Sequence, residues 1–340
     1  MKKIPVKETI GSVLCHDITQ IIPGKIKDRA FKKGHIIKKE DIPLLLSLGK
    51  DHIYVWEKKE GVLHENEAAE RLRKLTAGAG ITFSEVKEGK INFIAEYDGL
   101  LKINKELLYK LNSIGEMILV TLHNNYPVRK GKKVAGTRVI PLVIEEEKIK
   151  RAEEIIGNEK IVQVIPYKQM KVGIVTTGNE IYYGRIKDAF GAVIRKKMEE
   201  YDCEVLGQTI LPDDPDKIRN AIESWIEKGA DMVVCTGGMS VDPDDVTPTA
   251  IEKTGGEIIT YGSPILPGAM FLLAYKKDIP ILGLPGCVMY AKRTVFDLIL
   301  PRLLIKERLK ASDIAKYGHG GFCMECEVCR FPDCTFGKGV

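Results

Sequence analysis

The sequence has no apolar run long enough to span a membrane. Its longest apolar stretches, Met270 to Tyr275 and Ile279 to Leu284, are strand-sized and separated by Lys276, Lys277 and Asp278, against about 20 residues for a transmembrane helix. The opening MKKIPVKETIGSVLCHDITQ carries Lys2 and Lys3 but no apolar segment behind them and no small-residue cleavage site. It does not read as a secretion signal, and the cytoplasm is the expected location. An excess of one charge is also missing: +5 over 340 residues is mild, and the richest basic run, KIKDRAFKKGHIIKKED, is broken by acids and apolar residues. Nucleic acid is therefore not an expected partner, and solvated surface lysines account for the bias, although an anionic small ligand is compatible with it. There is no internal repeat and no low-complexity tract. Past about Lys310 apolar residues become too sparse for a core, so the tail is expected to need a metal or a partner to be ordered.

What is present is a hydrophobic content of 44% over a length that argues for two or three domains. Residues 1–80 mix strand-like runs (IPVKETI, HIYVWE) with helical patterns over Lys39 to Leu48 and Glu65 to Leu75, an α+β region closed by the glycines of TAGAG. Residues 81–167 read as a smaller α/β or α+β region with a helix over Lys105 to Ile114. From 168 to 308 the texture becomes a regular alternation: strands KVGIVTTG, CEVLGQTILP, ADMVVCTGG, EIITYG, MFLLAY and IPILGLPG, with helices over Asp188 to Tyr201, Pro215 to Glu227, Pro248 to Lys253 and Tyr290 to Leu304. Such alternation predicts an α/β fold, a doubly wound and mostly parallel sheet covered on both faces. Ligands of these sheets sit outside the carboxyl ends of the strands.

Those strand ends are where the chemistry is concentrated. ADMVVCTGG runs into Thr236-Gly237-Gly238, then Ser240, Asp242, Asp244, Asp245 and Thr247. Paired glycines let backbone amides approach an anion, and Ser240 and Thr247 offer hydroxyls. The aspartates suit Mg²⁺ that grips phosphates, or helix caps, with Thr247 as cap and Pro248 opening the helix. The first strand ends in Thr177-Gly178-Asn179-Glu180, followed by Asp188, itself a ligand or a cap. The second ends at Asp213 and Asp214, one expected to cap the helix entered at Pro215 and the other to hold a metal or a ligand hydroxyl. Three strand ends thus present carboxylates around one crevice, which an anionic ligand tolerates with a divalent metal present. Pro285-Gly286 adds another close-approach turn.

The ordered series TTGNE, Gly184-x-x-x-Asp188, LPDDPDKIRNAI, TGGMSVDPDDVTP and GLPG before a long helix resembles the shared domain of molybdopterin adenylyltransferase (MogA), molybdopterin molybdotransferase (MoeA) and gephyrin. The resemblance implies a MogA-like domain binding molybdopterin or adenylylated molybdopterin, with Gly237, Gly238 and Ser240 cradling phosphate. It implies Glu180, Asp214 and Asp245 as catalytic carboxylates around Mg²⁺, pyrophosphate and molybdate. Thr177, Gly178, Asp188, Asp213, Thr236, Asp242, Thr247, Pro285 and Gly286 would complete the binding site. The implied activity is molybdate insertion into adenylylated molybdopterin with loss of AMP; the alternatives are a non-catalytic carrier or sensor of the cofactor, or an adenylyltransferase. A homo-oligomer, working with other molybdenum-cofactor proteins, is part of the same implication. The chain departs from the molybdotransferase pattern in two segments: Leu266-Pro267-Gly268-Ala269-Met270 stands where K-P-G-K-P is usual, and Gly286-Cys287-Val288 where G-N-P is usual.

The remaining signal is Cys323-x-x-Cys326-x-x-Cys329 followed by Cys334, four thiols in twelve residues. Clustering of this kind in a cytosolic protein points to metal rather than disulfides. The spacing resembles ferredoxin cluster loops, with a tetrahedral zinc site as the competitor. Cys203 and Cys235 read as packed core residues.

Overall fold

The computed structural model describes residues 2–22, 26–55, 60–240, 242–243 and 245–339. The chain divides into two compact units, one of residues 1–95, 103–122 and 131–163, the other of residues 96–102, 123–130 and 164–340. Residues 81–167 are therefore apportioned between the two, and the cysteine-rich end belongs to the second.

In the first unit, strands Lys2–Pro5 and His52–Val55 pair antiparallel, as do Ile18–Ile22 and Ile26–Phe31. Val6, Leu14, Ile18, Phe31, Ile37, Leu45 and Ile53 form the core beneath them. A four-stranded antiparallel sheet follows, with neighbours in the order Ile81–Phe83, Lys90–Ala95, Lys133–Val139, Met117–Thr121. Strand Lys90–Ala95 alternates as its period of two requires, burying Ile91, Phe93 and Ala95. Helices Glu65–Thr76 and Lys105–Asn112 lie close to where the apolar periodicity puts them. Another helix, Glu146–Ile156, was not among the expected elements; it buries Ile149, Ala152 and Ile156 in an otherwise charged run.

The second unit holds the alternating region. Its strands are β1 (Lys171–Thr177), β2 (Glu204–Leu211), β3 (Met232–Thr236), β4 (Glu257–Tyr261), β5 (Leu272–Lys276) and β6 (Ile279–Leu284). Its helices are α1 (Phe190–Glu199), α2 (Pro215–Glu227), α3 (Thr247–Lys253) and α4 (Val295–Leu304). The sheet order is β2-β1-β3-β6-β5-β4. The first four run parallel, while β5 is antiparallel to both β6 and β4. Successive strand residues face opposite layers. Val172, Ile174, Val234 and Leu282 pack with Ile194 and Met198 of α1 and with Val295, Phe296 and Ile299 of α4. Val175, Val233, Cys235 and Ile281 pack with Ile218, Ile222 and Trp225 of α2 and with Ala250 and Ile251 of α3. The expected doubly wound α/β sheet is thus observed. Gly173 and Gly207 leave a slot for Trp225, where a Cβ would come within 2.5 and 2.6 Å of the indole.

The last helix starts at Val295 rather than Tyr290, after a 3₁₀ turn over Gly286–Met289. The reason is a reciprocal cap. The Thr294 hydroxyl accepts from Phe296 N at 3.2 Å, and the Asp297 carboxylate accepts from Thr294 N at 2.7 Å. Asp297 also lies 2.7 Å from Lys197 and 2.8 Å from Arg293, and Arg293 reaches Glu200 at 3.0 Å, so two cations meet two carboxylates in a largely buried group.

Beyond α4 the tail packs onto the core of the second unit. Tyr317 and Phe336 are buried in the same core as α4, with Phe331, Cys323 and Cys334 packed against it. Gly337 N donates to Gly320 O at 2.8 Å, closing the cysteine segment on itself. Among the described residues no helix is long and apolar enough to cross a membrane.

Candidate functional site

The chain leaves β1 for β2 on one side and later returns to β3 on the other, so the strand order reverses between β1 and β3. At that point the carboxyl ends of neighbouring strands diverge and open a crevice. Thr177 ends β1 and Thr236 ends β3; both are buried, and the glycine pair follows directly.

Gly237 and Gly238 have φ of 86° and 55°, in the left-handed region. Space restricts them as well. A Cβ at 237 would lie 2.1 Å from Thr177 O, and one at 238 would lie 2.9 Å from Thr247 Oγ1. The turn is pinned from beneath by Thr247, which is wholly buried. Its hydroxyl donates to Gly237 O at 2.9 Å and lies 3.1 Å from Thr177 Oγ1. Because Thr247 has one proton and gives it to Gly237, Thr177 is the donor of that second bond. Thr247 therefore faces the loop rather than a ligand, and it is the first residue of α3, with Val246 in the capping position and no side-chain cap. Both of its expected roles, phosphate donor and helix cap, are corrected to that of a loop anchor.

A second polar chain supports the floor. Asp188 accepts from Phe190 N at 2.9 Å and from Gly191 N, fastening the start of α1. Its other contact is Gln208 Nε2 at 2.7 Å, and the same nitrogen donates to Thr176 Oγ1 at 2.8 Å. Thr236 donates to Thr176 at 3.2 Å. Of the two readings of Asp188, the structural one fits this geometry. Gln208 and Thr176 were not singled out from the sequence; the available signal was an amide side chain in the middle of a strand covered on both faces.

Of the two aspartates after β2, one caps the next helix, as expected. Asp214 caps α2, accepting from Asp216 N at 3.0 Å and Lys217 N at 3.1 Å, and these backbone hydrogen bonds hold its carboxyl below the usual range. Its expected catalytic role would have to coexist with that cap. Asp213 crosses to the β1 loop, accepting from Asn179 N at 2.9 Å. Asp245 accepts from Ser240 N at 2.9 Å and Asp242 N at 3.3 Å, both through Oδ2, and so shapes the loop after the glycines. Opposite it, the Tyr261 hydroxyl lies 3.2 Å from Met239 O. Burial, with the Asp245 charge, holds that phenol above its ordinary value. Asp244 and Val241 lie outside the described residues. Ser240, Asp242 and Glu180 are exposed on this edge. Among the described residues no three Asp, Glu, His or Cys side chains converge on one metal position.

Pro285 is buried and Gly286 exposed at the end of β6. A Cβ at Gly286 would meet nothing within 4 Å, so the turn there is open. The Leu266–Met270 segment brings no cation to the edge. Its backbone holds the tail: Leu266 N donates to Gly321 O at 2.9 Å and Cys323 N donates to Leu266 O at 2.8 Å. Arg185 and Lys187, exposed in the loop after β1, are cations on this side. The four C-terminal cysteines lie beside this segment, lining one cavity. Cys203 and Cys235 are buried as expected, and burial pushes Cys235 up to about 12.

Comparison with known proteins bears on the same region. Residues 173–305 match the family model described as "Probable molybdopterin binding domain", and residues 3–57 match one described only as a domain of unknown function. The molybdopterin molybdenumtransferase of Haemophilus influenzae is 30% identical over 154 residues, 43% of this chain and 38% of that protein. The molybdopterin molybdenumtransferase of Synechococcus elongatus is 25% identical over 148 residues, 41% of this chain and 37% of that protein. The chain thus matches well under half the length of either relative. A CinA-like protein of Mycobacterium avium is 33% identical over 86 residues, 25% of this chain and 20% of its own length. Among solved structures, the molybdopterin biosynthesis enzyme MoaB of Thermus thermophilus aligns over 41% of this chain and 98% of its own, at 22% identity and a TM-score of 0.35. The MoeA protein of Pyrococcus horikoshii aligns over 90% and 75%, at 16% identity and a TM-score of 0.34. Residues 173–305, from β1 through α4, thus match the molybdopterin-binding domain family of molybdenum cofactor biosynthesis.

Proposed function

We propose that the crevice between β1 and β3 binds the phosphate of molybdopterin, or the pyrophosphate of adenylylated molybdopterin, and that the protein acts as a molybdotransferase, inserting molybdate with release of AMP. The observation that carries this reading is the left-handed Gly237-Gly238 turn locked onto Thr247 and Thr177 at the point where the strand order reverses. Successive backbone N–H groups in such a turn form a concavity suited to an anion, already in place before the ligand arrives. Ser240 supplies an exposed hydroxyl beside it.

Mg²⁺ fits this edge in its usual manner, with one or two carboxylates and the substrate's own phosphates rather than a full protein cage. Glu180, Asp242 and the Oδ1 oxygen of Asp245 are the carboxylate oxygens there to which no described hydrogen bond is assigned. When bound, the ion would neutralise phosphate charge; the protein's part is to hold the anion and orient the pterin. Arg185 and Lys187 offer positive charge on the side that Leu266 and Ala269 leave without any. The thiols of the tail take no step in this reaction.

The test is incubation of purified protein with adenylylated molybdopterin, Mg²⁺ and molybdate, with AMP release as the readout. Release that requires molybdate is expected. Tight pterin binding without release would establish the second reading, a carrier or sensor of the cofactor, which the uncharged Leu266–Met270 segment favours. Pyrophosphate release from ATP and molybdopterin would instead identify an adenylyltransferase.

A further inference from the structure

Cys323, Cys326, Cys329 and Cys334 line a single cavity of about 290 Å³ together with Pro267, Lys292, Arg293, Arg330 and Phe331. At about 30 Å³ per water that is room for on the order of ten, far more than one metal ion fills. Four thiols surround the space, yet no three of the described Cys, His, Asp or Glu side chains converge on a common point. A tetrahedral zinc site needs such convergence, with each sulfur about 2.3 Å from one ion. A polynuclear cluster does not, because each thiolate binds its own iron around the core.

We propose that this cavity holds a four-iron, four-sulfide cubane cluster, ligated by Cys323, Cys326, Cys329 and Cys334. The proposal stands apart from the pterin reading. Three observations support it beyond the spacing. The loop is closed at its base by the Gly337 to Gly320 hydrogen bond and fixed on one side by Cys323 N to Leu266 O, so the four cysteines are held around one space. Cys323 and Cys334 pack at the core edge while Cys326 and Cys329 are exposed, so the four thiols line the cavity as an inner and an outer pair. The lining charge suits an anionic cluster: Lys292, Arg293 and Arg330 against Glu325. Arg293 is already balanced by Asp297 and Glu200, leaving Lys292 and Arg330 for the cluster. Lys292 also ties the loop, donating to Glu327 O at 2.5 Å.

The full-length protein, purified anaerobically and reconstituted with ferric iron, sulfide and a thiol that reduces two of every four ferric ions as it is oxidised to disulfide, tests this directly. About four iron atoms and about four acid-labile sulfides per chain are expected, with a broad visible absorbance near 400 nm that dithionite bleaches. Cys326→Ser and Cys329→Ser, both at exposed positions, should each lower cluster content at least severalfold while unfolding cooperatively as the parent does. Cys287→Ser, which removes a thiol not lining this cavity, should leave it unchanged. Stoichiometric zinc without sulfide, failure to take up iron and sulfide at all, or full cluster content in both exposed-cysteine variants would each overturn the proposal. Pterin binding measured on the same variants separates the two readings: its retention with the cluster lost leaves the crevice proposal standing.

Discussion

At Asp245 one side chain combines two duties that substitution can separate. Its Oδ2 shapes the loop through two N–H groups, while its charge is the one the proposed reaction would use. Asp245→Asn keeps an acceptor for Ser240 N, so it should retain pterin binding and lose AMP release; Asp245→Ala should lose both. Equal loss in the two variants, by equilibrium binding and turnover assays, would refute a role for the charge itself. Thr247→Val removes the hydroxyl that joins Gly237 O to Thr177. Leaving those buried groups unmatched costs about 1–3 kcal/mol, which denaturant unfolding would register alongside weaker pterin binding. In the first unit, burial pushes Glu65 up to about 7, with Arg138 opposing and Glu88 adding to the rise. A carboxyl raised in the folded state contributes fully below its ordinary value near 4.5 and loses that contribution as pH climbs through about 7. Glu65→Gln should therefore raise the Tm at about pH 8 and leave it unchanged at about pH 4. An equal shift at both pH values would show that its ionisation is not involved.

At the scale of elements, the reciprocal cap of α4 does more than begin a helix. Asp297 caps Thr294 and at the same time holds Lys197 and Arg293. Asp297→Asn would leave two largely buried cations facing only Glu200, a loss on the order of 3–5 kcal/mol by chemical denaturation. A loss below about 1 kcal/mol would mean that water already solvates the group. The same helix shows where sequence reading stops. Its apolar residues are evident in the chain, but so are those of the preceding turn, and only the Thr294 and Asp297 pair marks the start. The alternation of strands and helices was legible because a doubly covered sheet writes its burial into every strand. The helix over Glu146–Ile156 was not, since its three buried residues lie among charges. Asp213 and Asp214 could be assigned as a pair, one capping and one reaching elsewhere, because Pro215 marks the helix start. That Asp213 is committed to Asn179 N depends on a contact between segments 34 residues apart and carries no local signature.

At the scale of the molecule, the tail is part of the second unit's core rather than an appendage. Phe336 is buried there beside Tyr317 and α4. Phe336→Ala should cost about 3–5 kcal/mol, as for other buried aromatics, and should release the cysteine loop to protease before the sheet unfolds. Simultaneous loss of both would show a single cooperative body. The Leu266–Met270 backbone holds the tail at Gly321 and Cys323, on the edge that carries the crevice.

The slot formed by Gly173 and Gly207 has a use of its own. Trp225, which fills it, is one of two tryptophans in the chain. Among the described residues nothing accepts a hydrogen bond from its indole N–H, while Lys228 Nζ lies 4.7 Å from the ring centroid. With the other removed by Trp56→Phe, the remaining emission would come from an indole seated directly on β1 and β2. Its wavelength would then follow the opening of those strands in real time, an optical reporter that the domain already carries.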